Sequence, residues 1–121
     1  MILSAQQLLS DDQAITATAI SENVIDLGLP ATPYGAAAAV DQDIGKGSQI
    51  PITIIVTEAF ATLTSLVVTL ECSAAAALTS PTVLFTSPSI LAAALVVGKE
   101  LTIGYIPREA NLRYLGMRYT V

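Results

Sequence analysis

Histidine and tryptophan are absent from this 121-residue sequence, and cysteine occurs once. Histidine is the side chain most often used as a general acid or base near neutral pH, so its absence excludes Ser-His-Asp and Cys-His catalytic sites. Its absence also removes the commonest ligand of transition metals. We therefore expect a protein that is not an enzyme and that holds no cofactor.

Charged residues are scarce as well, at 12% of the chain, whereas hydrophobic residues make up 53%. Globular domains carry about 25% charged residues, so this surface is poor in charge. Such a surface predicts that a partner covers part of it, through self-assembly or within a larger complex. The formal net charge of −5 leaves no basic patch for a phosphate backbone, and nucleic-acid binding is not expected.

Long hydrophobic runs are missing. The most apolar run, residues 90–97, is far shorter than the roughly 20 residues of a membrane-spanning helix. The first ten residues, followed by Asp11 and Asp12, lack the basic region and continuous apolar region of a signal peptide. We expect synthesis and folding in the bacterial cytosol and no contact with a membrane. Cys72 cannot form an intrachain disulfide, and its strand-like neighbours predict an inert, partly buried thiol.

Threonine interleaved with valine, isoleucine and leucine is what the sequence has in abundance. In the clearest segments apolar and polar residues alternate with period two, as a half-buried strand requires. Short strands separated by Gly, Pro and Ser turns are typical of a sandwich, a jelly roll or a barrel. We predict an all-β single domain over residues 13–121, preceded by an N-terminal arm over residues 1–12. The predicted strands cover residues 14–20, 23–27, 49–57, 61–71, 82–86, 101–106 and 113–121.

The alternation also predicts which side chains share a face of each strand. The predicted faces are Ile15, Ala17 and Ala19; Ile50, Ile52, Ile54 and Val56; Leu66, Val68 and Leu70; Leu101, Ile103 and Tyr105; and Leu115, Met117, Tyr119 and Val121.

Three stretches leave the type of structure open. Residues 35–40 and 74–77 are alanine-rich and favour helical turns, and the apolar run at 89–97 fits a helical turn or a buried strand.

One short motif resembles a metal site. Asp41 and Asp43, followed by Gly45, have the spacing with which a calcium loop begins. No third ligand or bidentate glutamate follows at the required distance. We therefore predict a solvated turn with no bound metal, and Asp41 and Asp43 are the candidate ligands if a cation does bind.

The cations concentrate near the C-terminal end of the sequence, at Arg108, Arg113 and Arg118. In an otherwise acidic chain these residues can pair locally, for example with Glu109, or with carboxylates of a partner. Both alternatives remain open from the sequence. We treat Arg108 and Arg113 as candidate interface residues.

Several blocks of sequence, taken in order, resemble a known family. Residues 1–28 resemble the opening of the capsid cement (decoration) proteins of tailed bacteriophages, typified by that of a Bordetella phage. Residues 80–88, 95–98, 106–108 and 113–121 look like later blocks of the same family, so the resemblance covers most of the chain. It implies a jelly-roll-like β-sandwich and self-association. It also implies binding to the outer surface of a shell built from the major capsid protein, and therefore a place in the virion.

The sequence also suggests which residues contact partners. Leu3, Leu8 and Leu9 are apolar yet precede the first clear strand, and Tyr34 lies in a proline-rich loop. We predict that these four side chains contribute to protein interfaces, with a homodimer favoured over a homotrimer. Two rival functions remain: a tail or adhesin module that binds a receptor or glycan, and a small hydrolase that works through carboxylates alone.

Overall fold

The computed structural model describes residues 4–40, 49–108 and 110–121. Within these ranges the chain is an all-β sandwich of two antiparallel sheets and contains no α-helix, which confirms the predicted fold class. Short 3₁₀ turns lie at Ala5–Gln7 and Ala92–Ala94. The strands are β1 Ala19–Ile20, β2 Ile25–Asp26, β3 Ile50–Ile55, β4 Ser65–Ser73, β5 Thr82–Thr86, β6 Ile90–Leu91, β7 Glu100–Ile106 and β8 Tyr114–Thr120.

The main sheet has the strand order β1-β8-β4-β5, and all of its pairs are antiparallel. The short strand β2 continues the line of β1 along the outer side of β8. In the same way, β6 continues the line of β5 along β4. Strand β4, the longest, pairs with β8 over its whole second half and with β5 on its other side. The two central strands are therefore β4 and β8.

The second sheet is a two-stranded ribbon of β3 and β7 that contains a β-bulge. Pro51 pairs with Tyr105 and Thr53 with Thr102, so β7 has one extra residue, next to Gly104 with its φ of 93°. A bulge reverses the alternation of side chains beyond it. Leu101 and Ile106 are accordingly buried while Tyr105 is 50% exposed. The prediction that Leu101 and Tyr105 share a face is wrong, and the side chain of Ile103 lies outside the described residues.

The core lies between the two sheets. The predicted inner faces of β4 and β8 are confirmed, because their apolar side chains are buried, and those of β3 are half-buried with Val56 buried beyond them. The predicted buried thiol is also confirmed: Cys72 is fully buried, and burial raises its pKa. The buried hydrophobic residues of the two central strands are Leu66, Val68, Leu70, Cys72, Leu115, Met117 and Tyr119.

Two further predictions need correction, and the structure decides the three stretches that were left open. The first strand is confined to Ala19 and Ile20, since residues 16–18 form exposed bends; Ile15 is buried but Ala17 is exposed. Val121 follows the end of β8 and is exposed. The alanine-rich stretches form turns and bends without a helix, because each is too short to repay the cost of a first helical turn. The run at 89–97 divides into β6 and a 3₁₀ turn.

Candidate interaction surfaces

The N-terminal segment is fastened to the sandwich from Leu8 onward. The backbone N–H of Asn23 donates to the Leu9 carbonyl at 2.9 Å, and the Asn23 side-chain amide donates to the Leu8 carbonyl at 3.2 Å. Leu9 is half-buried against the core, whereas the Leu8 side chain is exposed. Of the predicted arm contacts, Leu8 is presented to solvent, Leu9 is largely used internally, and Leu3 lies outside the described residues.

A polar cluster holds the end of this segment against β8. The hydroxyl groups of Ser10 and Tyr119 lie 2.9 Å apart, and Ser10 also donates to the Gln13 side-chain carbonyl. The Gln13 amide in turn donates to the carbonyl of Ile20 at 2.8 Å. Burial raises the pKa of the Tyr119 phenol. Leu8 is therefore exposed on an anchored backbone, which lowers the entropy lost when it binds a partner.

Residues 29–40 form a loop, called here the Tyr34 loop, that projects apolar side chains into solvent. Tyr34 is fully exposed near its tip, and Leu29 and Val40 are exposed near its ends. Val40 donates to the Ala31 carbonyl at 2.9 Å and closes the base. A closed loop with an exposed tyrosine offers a large contact area with few rotatable bonds, which favours protein recognition.

Arg113 makes a two-pronged ion pair with Asp26. Its Nε and Nη2 atoms donate to the two carboxylate oxygens at 2.8 Å each, and the guanidinium lies 4.9 Å from the centre of the Tyr114 ring. Mainly through this hydrogen bonding, the pKa of Asp26 falls from 3.8 to about 2. Arg113 therefore pairs within the chain, which is one of the two alternatives that the sequence left open. Arg108 is exposed, and Glu109 lies outside the described residues.

Arg118 also forms an ion pair within the chain, with a partner, Glu71, that the sequence did not indicate. The Nε of Arg118 donates to both oxygens of Glu71, a residue only 3% exposed, and Thr69 donates to the same carboxylate. Arg118 also donates to the carbonyl of Leu78, which has a left-handed backbone with a φ of 49°. The pair thus fastens the β4–β5 connection over the outer face of the main sheet. Only the β4–β8 register brings residues 71 and 118 together.

The two edges of the main sheet differ in how they are covered. Along β8, the β1/β2 edge is tied by Ser21, whose N–H donates to Met117 O while its hydroxyl accepts from Met117 N–H. The other edge is β5, and no described segment pairs with its outer side. Val83 on this strand is 51% exposed. The β5 edge is therefore an open backbone surface.

An open cleft of about 920 Å³ lies between the ribbon, the N-terminal segment and the main sheet. Its floor consists of core side chains such as Leu70 and Met117, and its walls include Ile52 and Ile54. The lining also includes the acidic residues Asp11, Asp12 and Glu58. The cleft is therefore lined by both aliphatic and acidic residues.

The match to a family model decides where this chain belongs. The model of the Bbp16 family matches residues 9–121. The chain is a member of the Bbp16 family. Bbp16 is a family of Bordetella phage proteins, which indicates a phage structural protein associated with the virion. A search of curated proteins finds no match to the chain.

The described part of this Bbp16-family protein contains neither a cluster of metal ligands nor a membrane-spanning helix. No group of three or more Cys, Asp or Glu side chains that could hold a metal ion occurs within it, and Asp41 and Asp43 lie outside it. No helix in the same ranges is long and apolar enough to cross a bilayer. The surfaces that remain as functional candidates are the Tyr34 loop, the anchored N-terminal segment and the open β5 edge.

Proposed function

We propose that this Bbp16-family protein is a capsid cement protein that binds the outside of the phage shell, bridges major capsid protein subunits and has no enzymatic activity. The observation that carries the proposal is the Tyr34 loop, a closed loop with a fully exposed tyrosine at its tip. It projects from a low-charge sandwich of a phage family. Membership of the family and the resemblance to cement proteins both support this role.

In this proposal the binding free energies of many small interfaces add up to stabilise the shell. Each copy that contacts two capsid subunits must be displaced before those subunits can separate, and the symmetry of the shell repeats a modest interface many times. The Tyr34 side chain supplies contact area at low entropic cost, and Leu8 adds a second apolar contact from the fastened N-terminal segment. Affinity at one site can then remain moderate while the stabilisation of the whole shell is large.

The predicted contact residues take different parts in this mechanism. Tyr34 and Leu8 are direct contacts, and Leu9 supports Leu8 from the core. Arg108, which is exposed, pairs with carboxylates of the capsid protein at the rim of the interface. Arg113, already paired with Asp26, holds β2 in place. Leu3 remains a predicted contact.

The test is binding of the purified protein to purified expanded shells that lack it, followed by cosedimentation and by the shell melting temperature. We expect saturable binding that raises the melting temperature. Tyr34→Ala should weaken binding by about 30-fold, the loss typical of a central aromatic contact. Tyr105→Ala removes another exposed tyrosine, on β7, and should bind like the unmodified protein. Absence of binding to expanded shells would contradict the proposal.

An exposed tyrosine also suits a second function, that of a tail or adhesin module that binds a receptor or glycan. Aromatic rings stack on the apolar faces of sugars, and Tyr34 is accessible for such a contact. A glycan array separates the two functions: binding there that Tyr34→Ala abolishes, without binding to shells, would favour the module.

A further inference from the structure

We infer that the cleft between the β3–β7 ribbon and the main sheet binds an extended segment of another protein, which places aliphatic side chains on the floor of the cleft and lysine or arginine beside its acidic residues. No residue of the Tyr34 loop lines the cleft, so this is a second binding site. On the phage shell the partner is the major capsid protein, an assignment that rests on the proposed function. Binding of a peptide to the cleft does not depend on that assignment.

The ribbon leaves its inner face only partly covered. Ile50, Ile52 and Ile54 share this face of β3 and line the cleft, yet each is half-buried. On the main sheet, Leu70 and Met117 belong to the floor and are fully buried or nearly so. In a closed sandwich the side chains of the two inner faces interdigitate. The isoleucine row therefore has apolar area that an aliphatic occupant of the cleft can bury.

The shape of the cleft fits an extended chain. All six residues of β3 line it, and so do residues 7–16 of the N-terminal segment. Six residues of strand span about 20 Å, and the volume of the cleft is about 920 Å³. A groove that follows a strand over this length accommodates about six residues of extended chain, with alternate side chains directed into it. The occupant is therefore a segment of polypeptide with one apolar face.

The acidic residues of the cleft identify the charge of the partner. Asp11, Asp12 and Glu58 are exposed, and all three line the cleft. No lysine or arginine among the described residues pairs with them or lines the cleft. Carboxylates that share a cleft repel one another, and cationic side chains of a partner relieve this repulsion and steer the approach. The partner segment is therefore basic as well as aliphatic.

The charge of the chain itself favours a different protein as the partner. The sequence has ten acidic residues against five basic ones, and residues 1–43 contain six acidic residues and no basic one. Arg113 and Arg118 are already paired within the chain. A second copy would therefore bring more negative than positive charge to the cleft. A basic segment of another protein complements both the acidic residues and the apolar floor.

A labelled peptide tests the cleft. The probe is Lys-Leu-Ser-Val-Ser-Leu-Lys, whose aliphatic side chains alternate with serine, and fluorescence anisotropy at low salt follows its binding to the purified protein. We expect saturable binding. A peptide with glutamate in place of both lysines should bind at least about tenfold more weakly, because its charges oppose those of the cleft. A peptide with serine in place of the aliphatic residues should lose about as much, because it cannot use the apolar floor.

Two glutamates provide a matched pair of charge variants. Glu58→Gln removes a carboxylate from the cleft and should weaken peptide binding by about threefold, a loss typical of one exposed ion pair. Glu100→Gln removes the same charge from an exposed glutamate of β7 that does not line the cleft, and it should leave peptide binding unchanged. Equal effects of the two substitutions would mean that the peptide responds only to net charge, and would overturn the inference.

Blocking the cleft after folding tests its apolar wall. Ile52→Cys places a thiol in the cleft, and reaction of this thiol with a bulky maleimide should weaken peptide binding by about tenfold or more through steric exclusion. Val97→Cys, modified in the same way at a 64% exposed position outside the cleft, should bind the peptide like the unmodified protein. The native Cys72 is fully buried and should not react. Peptide binding that survives the block at position 52 would overturn the inference.

Two further measurements identify other occupants. Peptide binding should be the same with and without residues 1–3; binding that appears only after their removal would assign the cleft to the N-terminus of the chain itself. The oligomeric state in sedimentation velocity should not change when the cleft is blocked. A change would assign the cleft to a second copy. Either result would overturn the inference.

Purified shells separate this site from the cement role. The blocked Ile52→Cys protein should bind expanded shells at least about tenfold more weakly than the blocked Val97→Cys protein. A protein that binds shells but not the peptide overturns the cleft site and leaves the cement role standing. A protein whose cleft binds the peptide but which does not bind shells overturns the cement role alone.

Discussion

The two edges of the main sheet, β1/β2 on one side and β5 on the other, differ in the strands that form them and in the contacts that those strands make. The β1/β2 edge consists of two-residue strands that are fastened to β8 by two hydrogen bonds between Ser21 and Met117 and by the Asp26–Arg113 ion pair. The β5 edge has no charged residue and no described neighbour on its outer side. The two edges therefore differ in the length and the charge of the strands that form them.

The outer face of the sheet connects these two edges through Gly116. A Cβ atom at this position would lie 2.9 Å from the Leu78 side chain, which belongs to the β4–β5 connection, and 3.1 Å from Val24, which lies between β1 and β2. Ser21 Oγ is also close, at 3.3 Å. Segments from both edges therefore pack over one glycine, and a change there reaches both sides.

The largest effect is expected when the β5 side is loosened by Arg118→Ala. The substitution leaves the carboxylate of Glu71 buried with little compensation and frees the Leu78 carbonyl. Removal of one partner of a fully buried pair costs 3–5 kcal/mol; since Arg118 is partly exposed, we expect about 2–3 kcal/mol. Urea unfolding measures the loss, and hydrogen exchange should rise first in the β4–β5 connection.

Thr120→Ala, at an exposed position on the same strand, is the control and should change stability by less than about 0.5 kcal/mol. Glu71→Gln retains hydrogen-bonding capacity and should cost less than Arg118→Ala. Equal losses for Arg118→Ala and Thr120→Ala would show that the pair does not hold the β5 side.

A smaller effect on both edges is expected from Gly116→Ala. The added methyl group is too close to the Leu78 side chain, and overpacking of this kind costs about 1–3 kcal/mol. The double variant with Leu78→Ala should lose less free energy of unfolding than the two single variants together, because the shortened side chain makes room for the added methyl group. Chemical denaturation of the four proteins completes this cycle. Strictly additive losses in the free energy of unfolding would mean that the two side chains do not interact.

The smallest effect is expected at the β1/β2 edge, from Asp26→Asn. The pKa of Asp26 is lowered in the folded protein, so its ion pair stabilises the fold above about pH 4, and this contribution disappears as the pH falls through about 2. The unmodified protein should therefore melt slightly above the variant at pH 7 and match it near pH 2. Asp26→Asn should change the melting temperature less in a protein that also carries Arg113→Lys, because lysine cannot make the two-pronged ion pair. A difference that is independent of pH would contradict this account.

Period-two alternation predicts the inner faces of β4 and β8 because those strands are long and regular. It fails at Tyr105, since the bulge beside Gly104 inserts one residue and reverses the pattern. It also fails at Ala17, where exposed bends replace a strand. The Glu71–Arg118 pair and the contrast between the two edges depend on which strands become neighbours, and local sequence does not encode that information.

The surface residues show a similar division. Tyr34 and Leu8, which the sequence predicts to be interface contacts, are exposed, and local pairing, one of the two alternatives for the arginines, occurs at Arg113 and Arg118. The sequence does not reveal that Leu9 packs against the core, since that contact requires Asn23 to hold the segment in place. Exposure follows from local chemistry, whereas anchoring follows from long-range contacts.

The position of β8 at the centre of the main sheet also affects how the protein folds during its synthesis. Its partners are distant in sequence: Ala19 pairs with Tyr119, and Val67 pairs with Thr120. Contacts of such large separation form slowly, and they cannot form before β8 has left the ribosome. Until then β4 lacks the strand with which it pairs over seven residues. Before β8 is available, β4 can pair only with β5 and β6, so the main sheet remains incomplete until β8 is synthesised.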